Sequence, residues 1–334
     1  MTSRRRRRRA TGRWTAAQIA LFFLVGGCGP QAYAPVPPIS EIRKEERRQY
    51  EAAAARLLVH MQHVARVGSR ITVAGAPFCG EDVKPYVGVV STSRSSLARR
   101  FGSHAAWTEA GVGLRRVWDI GSAPEVLAVL PDSPAAAVGM QVRDRILEIE
   151  VTDGTPLSGV RIEIQRGAQR LELELPYVAE CAYSVSATIA DQINAHVASD
   201  SILVSTGLLR FVEDDDELAF AIGHELAHRI LGHRSSRMRS RERAADRMGT
   251  ELAARAGYDP AAAVRLVRRL AAEHPEWIGD RASPGHPGTA HRVAALEAVV
   301  EEIVRRTTPA GSTKMGDDQA RSSTSAGQSS GGTV

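Results

Sequence analysis

The stretch AIGHELAHRILGHR, Ala221–Arg234, restricts this chain more than any other. His224 and His228 stand four residues apart. At 3.6 residues per helical turn they share one face, one above the other, where two imidazoles can reach a single zinc ion. Glu225 lies between them, turned toward the open coordination position. In this H-E-x-x-H arrangement the glutamate is the general base. A zinc ion of this kind needs a third protein ligand and a free fourth place. The next predicted helix, SRERAADRMG, offers both a ligand and its support. Glu242 can ligate, and Asp246, four residues on, can accept a hydrogen bond from the far nitrogen of a ligand imidazole. Alone, the second helix would read as a solvated face with Arg241, Arg243 and Arg247 as partners. Joined to the first, it completes a site.

H-E-x-x-H followed by E-x-x-A-D resembles the HtpX and CAAX-prenyl-protease superfamily of gluzincin zinc peptidases, and most of all its lipoprotein branch without transmembrane helices. The resemblance spans about Ala182 to Arg306. INAHVASDSILVSTGLL is similar to the family's Asn-Ala segment and the edge strand before the active-site helix, with Asn194 at the matching position. GHPGTAHRV is similar to the family's His-Pro and following Arg, which places His286 and Arg292. The resemblance implies one zinc per chain held by His224, His228 and Glu242, with Glu225 as base. It implies His286, Arg292 and Asn194 as donors to the oxyanion, and a substrate lying extended along the 202–206 strand. The metzincin alternative fails on spacing: the positions three and six past His228 are Leu231 and Arg234, and Gly232 and His233 are out of register. His233 reads as a helix-end residue.

The formal charge of +5 is local. Residues 1–27 hold seven arginines and no acid, so the remainder carries 5 − 7 = −2. No later stretch interleaves a basic stripe with aromatics, so nucleic acid is not an expected partner. The arginines, the short apolar TAAQIALFFLVGG and the small residues before Cys28 read as an export signal, residues 1–27. The layout resembles a bacterial lipoprotein signal, which would leave Cys28 acylated. A plain secretory signal or an uncleaved anchor is the other reading. With Gly29 rather than Asp next, the resemblance favours the outer membrane, periplasmic side. Residues 28–40 are Pro-rich and read as a semi-rigid tether.

Ser40 can cap a helix running to about Arg66, within an N-terminal helical segment 41–78. His60 and His63 lie on it and read as surface residues, because two histidines three apart carry a high false-positive risk as ligands. Residues 86–177 are β-rich in strand-length pieces. VLPDSPAAAVGMQVRDRILEI, residues 129–149, resembles a PDZ domain, here 79–181. Two features depart from that pattern. Arg143 stands where Gly is usual before Asp144, and little separates the strands around TDGTPLSGVRIEIQRG, where a PDZ domain has the helix walling its peptide groove. The module is therefore a peptide reader or a spacer. PDZ termini lie close together, so Cys79 and Cys181, at its two ends in an exported chain, are expected to form a disulfide; two unrelated thiols are the alternative.

The expected fold class is α+β: a mainly helical zincin domain (182–306) with a small edge sheet, after a small β-rich PDZ-like domain. SATIADQINAHVA reads as a helix and ILVST as a strand. Helices follow over EDDDELAFAIGHELAHR, SRERAADRMGTELAARAG (ended by Gly257), the segment after Asp259–Pro260, and TAHRVAALEAVVEEIVRR. Residues 307–334 read as a disordered tail. The function expected is a zinc endopeptidase acting on misfolded or unassembled envelope polypeptides, held at the membrane by its lipid, with envelope-assembly partners. A zinc-binding chaperone or scaffold is the rival. A cell-wall amidase is a second.

Overall fold

The computed structural model describes residues 36–96, 117–152, 159–232, 239–279 and 287–307. The export signal, Cys28, His233, His286 and the 308–334 tail lie outside the described residues. The chain divides into two units, Met1–Glu46 and Arg47–Val334. What is described of the first is residues 36–46, which end in the opening turns of a helix. The rest of the architecture belongs to the second.

That helix, α1 (Ile39–Gly75), runs nine residues past the expected end at Arg66. Its buried stripe explains why. Ala54, Leu57, Met61, Val64, Val67 and Ile71 recur at three- and four-residue steps, and the stripe continues through VGSRITVAG. Gly68 and the β-branched residues there weaken local helix propensity. Packing overrides it: a Cβ on Gly68 would lie 2.8 Å from Val185 Cβ, so only glycine lets the helix sit this close. Pro77 follows, in a 3₁₀ turn Ala76–Phe78 that delivers Cys79. Cys79 is joined to Cys181. Beside the bridge, β1 (Val83–Pro85) pairs antiparallel with β7 (Ala179–Cys181), closing the neck of the β-rich region.

Within that neck lies a five-stranded antiparallel sheet in the order β2-β3-β4-β5-β6: Val89–Thr92, Glu125–Val129, Arg145–Val151, Val160–Arg166 and Gln169–Leu175. A short helix, α2 (Pro134–Ala137), is capped by Ser133, whose hydroxyl accepts the Ala136 N–H. One face of the sheet packs Val126, Ile146, Ile162, Ile164 and Leu175 against Ala135 and Met140. Val90, Leu127, Ala128 and Leu130 join the core built on α1. Arg143 sits at φ +78°, the left-handed conformation that explains a preference for glycine there. Its guanidinium offsets the strain by bonding Glu125 and the Trp118 carbonyl.

The segment expected as a helix before residue 200 is instead two strands. β8 (Ser184–Thr188) runs parallel to β10 (Ser201–Ser205), and β9 (Ala195–Ala198) runs antiparallel to it. Val185, Ala187 and Ile189 keep a strand period, but the alanines and the long-range parallel pairing hide it from a local reading. The order β8-β10-β9 also makes β10 central rather than an edge. After α3 (Thr206–Phe211), α4 (Asp215–Ile230) begins at Asp214, whose carboxylate accepts the Glu217 N–H. Three acids occupy its first turn, at the positive end of the dipole. The remaining helices are α5 (Arg239–Arg255), α6 (Ala262–Glu273) and α7 (Thr289–Thr307). Gly257 follows α5 at φ +84°, and the Asp259 carboxylate accepts the Ala261 N–H just before α6. Among the described helices none is long and apolar enough to cross a membrane.

Candidate metal centre

α4 and α5 pack without side chains between them at one point. A Cβ on Gly223 would fall 2.7 Å from the Gly249 carbonyl oxygen, and one on Gly249 would fall 2.6 Å from the His224 nitrogen. This backbone approach brings a carboxylate on α5 within reach of imidazoles on α4. The Nε2 atoms of His224 and His228 are 3.1 Å apart. Glu242, in the first turn of α5 and 5% exposed, presents Oε2 at 3.6 Å from His224 Nε2 and Oε1 at 3.7 Å from His228 Nε2. Tetrahedral zinc with ligands near 2.0–2.1 Å spaces its donors by about 3.4 Å. The observed triangle fits that spacing, and these three residues form the metal-competent cluster among those described. Three lone-pair donors facing one point, two partly buried imidazoles and a buried carboxylate, are stabilised by a cation between them.

Asp246 stands one turn beyond Glu242, with Oδ1 3.0 Å from His224 Nδ1. That carboxylate faces the Nδ1 side of the ring and leaves Nε2 turned toward Glu242 and His228. Burial works against a charge on His224, but the bonds to Asp246 and Glu242, with Glu225 nearby, outweigh it and lift its pKa to about 9. Burial likewise opposes ionisation of Asp246, yet Arg292 and His224 bring it down to about 2. Arg292, at the start of α7, grips Asp246 through two bonds: Nε to Oδ2 at 2.9 Å and Nη2 to Oδ1 at 2.7 Å. The oxyanion role expected for Arg292 is thus preceded by another. Two of its nitrogens are committed to orienting Asp246.

Glu225 lies beside the triad on the wall of a cavity of about 410 Å³. Burial raises its pKa; His224 opposes that, Glu242 adds to it, and the Val197 N–H and Arg292 pull it back. The Val197 bond comes from the free edge of β9. Asn194, just before β9, is exposed and lines the same cavity, as does Arg292. His63 is far from these groups in role: its Nε2 lies 2.7 Å from Asp215 Oδ1, tying α1 to the first turn of α4. The sequence reading missed the Gly223–Gly249 contact, the Val197 donor and the cavity. Gly beside His224 and the Met-Gly-Thr at 248–250 were the available signal for the first; the other two depend on chain segments distant in sequence.

Two imidazoles and a carboxylate around one cation position, with a second carboxylate alongside, make this a metallohydrolase-type centre. The model of Peptidase family M48 matches residues 160–240 and 235–300, which takes in both helices of the centre and supports a zinc metallopeptidase, a hydrolase of peptide bonds. No curated protein matches the chain. Among solved structures, it is similar over 29% of its length to 88% of the HtrA3 PDZ domain bound to a phage-derived ligand (FGRWV), at 19% identity and a TM-score of 0.17.

Proposed function

We propose that this chain is a zinc-dependent endopeptidase of the HtpX-like kind. The observation that carries the reading is the 3.1–3.7 Å triangle of His224, His228 and Glu242 with Glu225 beside it. Zinc, when bound, supplies Lewis acidity and makes a water acidic enough to lose a proton near neutral pH. Glu225 accepts that proton and delivers it to the leaving amine; its upward-shifted pKa suits a group that must both take and give. Asp246 and Arg292 hold the His224 ring. Asn194 is placed at the mouth to hydrogen-bond the substrate backbone, and Arg292 Nη1 is the part of that guanidinium not engaged by Asp246. The substrate strand adds to β9 rather than to 202–206, because β10 is paired on both sides while β9, among the described residues, carries no second strand. His286 keeps the role that the resemblance gives it.

The setting follows from the sequence. Cys28 carries the lipid that holds the chain at the outer membrane, and the substrates are misfolded or unassembled envelope polypeptides. The β-rich region, residues 79–181, is the PDZ-like module. The test is zinc analysis and casein digestion of the wild type beside Glu225→Gln. The variant keeps zinc and loses proteolysis by at least about a hundredfold, within the range that general bases contribute. Digestion at the wild-type rate by Glu225→Gln rejects the reading. Loss of acyl labelling in Cys28→Ser checks the anchor.

A further inference from the structure

The Cys79–Cys181 bridge closes the neck, and it also lies close behind the metal centre. Cys181 is fully buried. A Cβ on Gly75, the last residue of α1, would lie 3.0 Å from Cys181 Sγ and 3.0 Å from Leu226 Cδ2, so a side chain there would crowd both. Leu226 directly follows Glu225 on α4. Two residues past the bridge, the partly buried Tyr183 lies under the Arg229 guanidinium, 4.6 Å from its ring centroid. Arg229 directly follows His228. Leu226 and Arg229 are three apart and share a face of α4, so bridge and ring together back the turn that carries Glu225 and His228. Arg229 Nε is buried and has no hydrogen-bond partner among the described residues. The aromatic face is what meets its charge here, an attraction that strengthens as water is excluded. The ring is itself fixed from the neck: the Tyr183 hydroxyl donates to Asp82 Oδ2 at 3.0 Å, and the Ala182 N–H bonds the Asp82 carbonyl at 2.7 Å.

We propose that Tyr183 is a positioning residue for the zinc centre and that the bridge sets it, so that reduction of Cys79–Cys181 lowers zinc affinity in a chain that stays folded. This rests on the zinc peptidase reading. Cys79 is partly exposed and Cys181 is not, so a thiolate of a dithiol reductant attacks Cys79 Sγ. The S–S bond breaks, a mixed disulfide forms on Cys79, and Cys181 leaves as a thiolate that takes up a proton. The second thiolate of the reductant then attacks its own sulfur in the mixed disulfide. Cys79 is released and takes up a proton, the reductant leaves oxidised, and two electrons have passed to the bridge. Two unlinked thiols need more room than one bonded pair. On the α4 side Cys181 has no room to give, because Gly75 and Leu226 are already in contact. The displacement falls on Tyr183 and on the turn of His228, while the apolar clusters of the sheet and of the helices stay buried.

The experiment measures zinc affinity of the full chain by competition with a chromophoric chelator. It compares the bridged wild type, wild type reduced by a phosphine, and Cys79→Ala/Cys181→Ala. A phosphine is used because added thiols would themselves hold zinc. Both open forms should bind zinc about tenfold or more weakly, the lower end of what losing a ligand's support costs, while melting as folded chains. Reoxidation should restore the wild-type value. With the bridge intact, Tyr183→Leu should weaken zinc binding, and Tyr183→Phe, which keeps the ring face, should retain most of it. Phe78→Leu is the control: the Phe78 ring meets Arg255 at 5.1 Å, at the far end of α5 and about 20 Å along that helix from Glu242. It should lower the melting temperature without moving zinc affinity. Equal affinity with the bridge closed and open overturns the proposal. So does a loss in Phe78→Leu as large as that in Tyr183→Leu, which would mean that stability alone is being read. If the open forms do not fold, unchanged affinity in Tyr183→Leu overturns it. If the bridged wild type binds no zinc, the peptidase reading falls first and this one with it.

Discussion

Glu242 and Asp246 are one helical turn apart and differ by one methylene, yet their tasks are separate. The longer chain reaches the point where the imidazoles converge; the shorter one stops at His224 Nδ1 and is held there by Arg292. Asp246→Asn keeps the shape but loses the charge that orients the ring. It should weaken zinc binding about 10–100-fold, the usual cost of losing such a support. Competition with a chromophoric chelator measures this, and unchanged affinity would mean that Asp246 only packs. Arg292→Lys should have a smaller effect of the same sign, because an ammonium cannot match the two-bond grip. The placement of both carboxylates on one face was legible in the sequence, since four-residue spacing on a helix is a local property. The proximity of Arg292 to Asp246, 46 residues on, was not, because no local rule links them.

At the scale of elements, two contacts decide where the centre sits. One is the approach of α4 to α5. Gly249→Ala places a methyl against the His224 backbone, and the helices must separate. The expected outcome is a loss of about 1–3 kcal/mol with a fall in zinc occupancy. Thermal melts and metal analysis read both, and a variant with normal zinc content would remove the glycine contact from the account. The other is the neck. Glu180 on β7 is largely buried and accepts from Thr72 on α1, with Lys84 3.7 Å away. Burial raises its pKa, and Lys84 and Thr72 only partly offset this. A carboxyl whose pKa is higher folded than unfolded is most stabilising below its ordinary pKa of 4.5, and that contribution is lost as pH rises through the raised value. Glu180→Gln should therefore gain stability at pH 7 and show a flatter pH profile than wild type above pH 4.5. Equal profiles would mean the carboxyl is solvated. Elements were legible where one face is buried with a clear period, as in α4 and α7. They were misread where pairing is non-local, as in β8 and β9, or where tertiary packing outweighs propensity, as at the end of α1.

Across the whole molecule, α1 from Arg47 onward is the common wall. Leu57, Val64 and Ile71 share one core with Val90, Leu127 and Leu130 of the β-rich sheet and with Ile202, Leu218, Ile222, Leu226 and Leu252 around the centre. The β-rich region and the peptidase helices thus lack independent cores on this side, and neither can lose α1 without exposing apolar surface. The disulfide acts on the same junction, joining residues 102 apart. In the chain-entropy model a closed loop of that length contributes about 4–5 kcal/mol. The two halves should unfold together in one transition, with amides of β5 and α4 exchanging at the same denaturant concentration. Ile71→Ala, which removes a fully buried side chain, should cost about 2–5 kcal/mol of stability and lower that common midpoint in both. Reduction of Cys79–Cys181 should lower it again without splitting the transition. The unreduced protein should titrate neither of these two thiols. Separate midpoints for β5 and α4 would show that the sheet's own cluster around Ile162 and Ile164 holds it without the shared core, and that α1 tethers the halves without fusing them.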